Sequence, residues 1–150
     1  MTDGIEHPEQ LLISAAVLDA MVAHCRRELP DECCGILGGL PPLASSFYPL
    51  RNRAEDPRTR YDADPLEIIE GHRQLRERGE EFVAIYHSHP TSRAFPSRAD
   101  LALNYYGALP RIIVSLREEP PDVRAWRLDP DSYRELPWRA VPVEPTPPRG

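Results

Sequence analysis

The residues best suited to chemistry lie between His87 and Asp100, in the stretch His87-Ser-His-Pro-Thr-Ser-Arg-Ala-Phe-Pro-Ser-Arg-Ala-Asp100. His87 and His89 are two residues apart at the end of an apolar run, Glu81-Phe-Val-Ala-Ile-Tyr86, that reads as a buried strand. Side chains alternate between the faces of a strand, so both imidazoles should project to the same side. Asp100 falls early in a helix expected from about Ser97 to Tyr106, where its carboxylate can turn back to the strand end. Two imidazoles and a carboxylate make a three-ligand zinc set that keeps one tetrahedral position open, the arrangement of a catalytic rather than a structural site. Such a metal brings the pKa of water from 15.7 towards roughly 7 and polarises a carbonyl for attack.

Each half of this pattern also has a plainer reading. Ser97-Arg-Ala-Asp100 fits a helix start in which the serine caps the first turn. An isolated H-x-H is compatible with polar surface. It is the two together, with Pro90 restricting the chain between them, that point to a metal site. The H-E-x-x-H of many zinc proteases is absent, as is the H-x-E with P-C-x-x-C of the zinc deaminases.

The stretch resembles the JAMM (MPN-plus) signature H-x-H-P-x6-S-x-x-D at every defining position. Asp31-Glu-Cys-Cys-Gly-Ile-Leu-Gly-Gly39 looks like that family's upstream segment, and the region from Asn52 to Pro65 looks like the connection between the two. The resemblance covers roughly residues 12–135. It implies that His87, His89 and Asp100 bind one zinc ion. It also implies that Glu32 acts as general base and then general acid, and that Ser97 donates a hydrogen bond to the oxyanion. The implied fold is a mixed α/β (α+β) single MPN domain, a mostly antiparallel central sheet flanked by helices, with a topology related to cytidine deaminases. The implied activity is that of a metallopeptidase cutting after the C-terminal Gly-Gly of a ubiquitin-like or sulfur-carrier protein, as small prokaryotic members do. Removal of ubiquitin-like modifiers from conjugates is the neighbouring reading. A non-catalytic MPN scaffold is a reading of another class, disfavoured because all three ligand positions are filled.

The elements that must position these residues follow from patterning. Val17, Leu18, Met21, Val22 and Cys25 fall at helical spacing, predicting a helix over Leu12–Leu29 with Ser14 as N-cap. Cys33–Leu37 reads as a strand ended by a Gly38-Gly39 turn, and Ser45–Leu50 as a second strand. Residues 51–64 read as a loop, and Pro65 should open a helix running from Leu66 to Arg78. Arg111–Leu116, Val123–Leu128 and Tyr133–Trp138 complete the strands. Residues 1–10 are expected to be flexible, 11–139 to form the domain, and 140–150 to be a proline-rich disordered tail.

At 150 residues the chain has room for one core. A net charge of −6 gives no support to a nucleic-acid partner, and no run approaches the roughly 18 apolar residues of a membrane span. The start lacks the features of a signal peptide, so the cytoplasm is the expected compartment. Cys25, Cys33 and Cys34 fit no disulfide framework or zinc knuckle and read as small buried residues. All 18 basic residues are arginine. Compositional bias accounts for that, and avoidance of lysine modification is the alternative. The oligomeric state is open, a homodimer included.

Overall fold

A computed structural model describes residues 10–102 and 108–142. The chain runs β1 (Leu11–Ser14), α1 (Ala15–Arg27), β2 (Cys34–Leu40), β3 (Leu43–Leu50), α2 (Pro65–Glu77), β4 (Glu81–His89), α3 (Arg98–Ala102), β5 (Arg111–Ser115), β6 (Asp122–Leu128), β7 (Tyr133–Leu136) and β8 (Trp138–Val141). The strands form one mixed sheet in the order β7-β6-β5-β4-β2-β3-β1-β8. The ladders β2–β3, β2–β4, β5–β6 and β6–β7 are antiparallel, while β1–β3, β1–β8 and β4–β5 are parallel.

The two edge strands, β7 and β8, are separated in the chain by Pro137 alone. Strands at opposite edges can follow each other so closely only if the sheet curls until its edges approach. Trp138 seals the curl by donating its indole N–H to the Val123 carbonyl of β6 at 2.9 Å, and Leu11 N donates to Pro137 O at 2.9 Å. Proline has no N–H to continue a ladder, which is why the single strand expected over Tyr133–Trp138 is two strands.

Three other expectations are corrected. The first residues of the predicted helix, Leu12 to Ser14, belong to β1, and the helix proper begins at Ala15. Gly38 and Gly39 do not end β2. They sit inside it at register shifts, and the turn comes at Pro41-Pro42. At Gly39 the backbone has φ +146°, a conformation that glycine tolerates and bulkier residues rarely adopt. Finally, β8 carries the sheet to Val141, into the segment expected as tail. Residues 1–9 of the expected flexible start, residues 103–106 of the expected third helix and residues 143–150 of the expected tail lie outside the described residues.

Alternation along β2 assigns the helices to faces. Leu37 belongs to the cluster with Ala84 and Tyr86 of β4 and Val17, Met21 and Cys25 of α1. Cys34 and Ile36 point the other way and pack with Leu75 of α2. Burying each large apolar side chain contributes roughly 1.5–3 kcal/mol, so these two layers fix how the sheet is clad. Asp64 caps α2 by accepting from Leu66 N, with Pro65 at the first helical position. Because β4 and β5 are parallel, the chain must cross over between them. That crossover contains α3 and brings Asp100 back to the carboxyl end of β4.

Gly35 lies where the chain leaves the site for the core. A Cβ added there would meet the Tyr86 ring at 2.3 Å, and Tyr86 is wholly buried. Gly35→Ala should therefore lower stability by about 1–3 kcal/mol, read as a shifted urea midpoint. An unchanged midpoint would show that the Tyr86 ring is free to move.

Candidate metal centre

His87 and His89 stand on the last residues of β4 itself, on the same face as expected, and both are buried. His87 Nε2 is 3.0 Å from Asp100 Oδ1, His89 Nε2 is 3.1 Å from Asp100 Oδ2, and the two Nε2 atoms are 3.2 Å apart. A tetrahedral zinc site with ligand distances of 2.0–2.1 Å has ligand-to-ligand edges of roughly 3.3 Å. The triangle thus fits one small divalent cation. Among the described residues, these three form the group whose ligand atoms converge within 4.8 Å.

Each candidate ligand is held from behind. His89 Nδ1 donates to the Arg93 carbonyl at 2.6 Å, which leaves Nε2 as the ring's acceptor. Asp100 Oδ2 accepts from Ser97 N at 2.8 Å while Asp100 N donates to Ser97 Oγ at 3.1 Å. This reciprocal cap joins the plain reading of S-x-x-D to the metal reading, since one residue serves both. His87 stacks on Tyr61, with ring centroids 4.5 Å apart. The Tyr61 hydroxyl accepts from Arg111 Nη1 at 3.1 Å, and Arg111 is buried at the start of β5. The loop after β4 is clamped at three successive carbonyls. Ser92 O accepts from Ser115 Oγ (2.6 Å), Arg93 O from His89, and Ala94 O from Trp126 Nε1 (2.9 Å).

Glu32 lies just before β2 rather than within it, and is buried. Its segment is tied to the histidine strand by Ser88, whose Oγ accepts from Cys33 N at 2.9 Å and whose N donates to Cys33 O at 3.0 Å. From the other side, Asn52 Nδ2 donates to the Glu32 carbonyl at 2.9 Å and to Arg60 O at 3.0 Å, while its Oδ1 accepts from Ala54 N and Asp62 N. That one amide shapes the loop that delivers Tyr61.

The electrostatics split the two carboxylates. Burial pushes Glu32 up to about 8, with the positive charge of His89 opposing the shift and the negative charge of Asp100 reinforcing it. Burial acts the same way on Asp100, but the charges and hydrogen bonds of His87 and His89, with Ser97 N, outweigh it and hold the carboxyl well below the usual range. Burial likewise opposes charge on His89, and its contacts with Asp100 and Arg93 reverse the sign so that its pKa is raised. Glu32 Oε1 and His87 Nδ1 are buried without a hydrogen-bond partner among the described residues. Two buried carboxylates facing two imidazoles are a donor set that a divalent cation would neutralise.

Ser97 is exposed at the rim of the site. Its oxygen is already engaged by Asp100 N, so the hydroxyl proton remains available to a further acceptor. The positioning residues Arg93, Ser88, Asn52, Tyr61 and Arg111 had not been assigned these parts from sequence. Only Asn52 and Tyr61 carried a signal, as members of the connecting segment.

Residues 14–129 match the family of prokaryotic homologues of the JAB domain. The chain is 35% identical over 136 residues to the CysO-cysteine peptidase of Mycobacterium tuberculosis, spanning 87% of this chain and 91% of that protein. It is 30% identical over 135 residues to the desampylase of Haloferax volcanii, spanning 85% and 94%. A solution structure of a protein from Desulfitobacterium hafniense superposes with a TM-score of 0.81 at 29% identity, over 87% of this chain and 92% of that one. The chain belongs to the prokaryotic JAB-domain family.

Proposed function

We propose that this protein is a zinc-dependent peptidase that hydrolyses the amide bond after the C-terminal Gly-Gly of a small ubiquitin-like or sulfur-carrier protein, releasing a cysteine or a short extension. The observation that carries this reading is the buried triangle of His87, His89 and Asp100 with a buried, partnerless glutamate oxygen beside it. The mycobacterial relative is named for CysO-cysteine, which favours a cysteine leaving group. The haloarchaeal relative is named a desampylase, which favours the second reading, release of a modifier from a conjugate.

His87, His89 and Asp100 hold the ion. Zinc, when bound, supplies Lewis acidity, activating water and polarising the scissile carbonyl. Glu32 takes the proton of the attacking water and passes it to the departing amine, so water adds across the C–N bond with the proton balance closed. Its buried position suits this shuttle, because burial favours the neutral carboxyl while positive charge held nearby would favour the ionised, proton-accepting form. Ser97 directs its hydroxyl proton to the developing oxyanion, a contact typically worth about 2.7–4 kcal/mol of barrier. The Arg93 carbonyl and the Tyr61 ring keep the two imidazoles from rotating.

Incubated with a carrier–cysteine adduct, the zinc-loaded protein should release cysteine, and a chelator should abolish the release. Absence of metal-dependent cleavage would sink the peptidase reading. His89→Ala and Asp100→Ala should each lower bound zinc, measured by elemental analysis, because each removes a ligand; full occupancy in both would remove them from the metal site.

Glu32→Gln should keep zinc and lose about 10²–10⁴-fold in turnover. It should also stabilise the metal-free protein in a pH-dependent way. A carboxyl raised from 4.5 to about 8 on folding binds its proton more tightly in the native state, so wild-type stability falls as pH rises between those values. The variant lacks that slope. Parallel stability–pH curves for the two proteins would show that Glu32 is not buried as described.

A further inference from the structure

Two openings lie near the triangle, one lined by Asp100 itself and the other by residues that adjoin His89. One is a narrow slot on the His87 side, lined by Arg60, Tyr61, Ala99 and Asp100, with a volume of only about 10 Å³. The other, on the His89 side, is a cavity of about 240 Å³ whose lining includes Arg93, Phe95, Ser115, Arg117 and Arg124. Its wall is shared with the metal site. Ser115 is the strand partner of His89 across the β4–β5 ladder, and Arg93 supplies the carbonyl that holds His89.

The charges in this cavity are not equivalent. Arg124 is spent on Asp122 at 3.0 Å and on Glu135 at 3.2 Å. Arg93 and Arg117 form no ion pair with a carboxylate among the described residues. The Arg93 guanidinium lies over the Phe95 ring, 4.3 Å from its centroid, which fixes its plane while leaving its N–H edge to accept an anion. Apart from Asp122, the cavity contains one acid, Glu118. A pair of unneutralised guanidinium groups beside the site is notable in a chain of net charge −6.

We infer that this cavity is the leaving-group subsite and that Arg93 and Arg117 bind the free α-carboxylate of the residue released. The inference rests on the peptidase reading above and adds what the substrate must end in. The slot beside Tyr61 and Ala99 has no room for a side chain and suits the glycines on the acyl side. The larger cavity is below the 300–1,000 Å³ of a drug-sized site, which suits a single small residue. In a substrate with one residue beyond the scissile amide, the carboxylate carbon is two bonds from the departing nitrogen, so it must be met by groups close to the metal site, and Arg93 and Ser115 of this cavity adjoin His89. A lysine side chain leaving from a folded protein presents no carboxylate there. Fork-shaped guanidinium donors are the group that reads a carboxylate best.

The test uses the zinc-loaded full chain and one ubiquitin-fold carrier ending in Gly-Gly-Cys, prepared as the free acid and as the C-terminal amide. The acid should be cleaved at least about tenfold more efficiently in kcat/KM, mainly through KM, because a charge-assisted bond is lost in the amide. The preference should shrink with added salt. In the double variant Arg93→Gln/Arg117→Gln, which retains the Arg93 backbone carbonyl, the acid-to-amide ratio should fall to about one. Equal cleavage of acid and amide by the wild type overturns this inference and leaves the peptidase reading standing. A ratio kept by the double variant overturns the assignment to these arginines. Cleavage of neither substrate overturns the peptidase reading together with the inference built on it.

Discussion

Two carboxylates buried within reach of two imidazoles cannot all adopt their solution charges, and the site is organised around that constraint. A buried ionised carboxylate costs several kcal/mol unless it is paired and hydrogen-bonded. Asp100 meets the condition through both histidines and Ser97 N, and stays ionised. Glu32 does not meet it and holds its proton to about pH 8. The same burial therefore makes one carboxyl a fixed anion, fit to ligate, and the other a group whose protonation follows the local charge, fit to move a proton. A cation held at the triangle would supply the charge that the arrangement lacks.

This constraint explains why the scaffold is braced where it is. The three candidate ligands come from two elements, β4 and the crossover, and the crossover exists because β5 runs parallel to β4. A crossover loop is free to drift, so its carbonyls are pinned one after another by Ser115, His89 and Trp126. The opposite wall comes from the loop between β3 and α2. There the Asn52 amide makes four hydrogen bonds, and the buried Arg111 guanidinium reaches the Tyr61 hydroxyl. Errors of an ångström in ligand placement would cost metal geometry, which accounts for so many bonds behind so few functional groups.

The parts legible in the sequence are those written in side-chain type and spacing. The His-His-Asp triad needs an alternating strand end and a helix start, and H-x-H-P with S-x-x-D spells both. Helix α2 announces itself by Asp64 and Pro65. What escaped was fixed by the backbone or by distant partners. β1 runs into α1 without a turn residue between them, so the helix expected from Leu12 took in its last three residues, Leu12 to Ser14. Gly38-Gly39 reads as a turn, yet Leu75 fills the space where a Gly38 side chain would go, and the strand continues through both glycines. The clamps on His89 and Ala94 use carbonyls, which every residue possesses and no sequence pattern marks. Arg111 and Tyr61 lie 50 positions apart, beyond any local signal.

The cysteines, read from sequence as small buried residues, are more than filler. All three are buried. Cys33, next to Glu32, has its N–H on Ser88 and its thiol 3.3 Å from that of Cys25 in α1. One residue earlier in that helix, His24 bonds the buried Tyr86 hydroxyl at 2.7 Å, and Tyr86 in turn packs against Gly35. The underside of the site is thus a compact set of satisfied polar contacts between α1, β2 and β4. An apolar filling of equal volume would hold the helix but would leave the chain at Glu32 free to rotate. The polar set instead fixes that backbone from below, as Asn52 fixes it from above. Glu32 can then remain an unpaired buried acid because its main chain, not its side chain, carries the bonds that keep it in place.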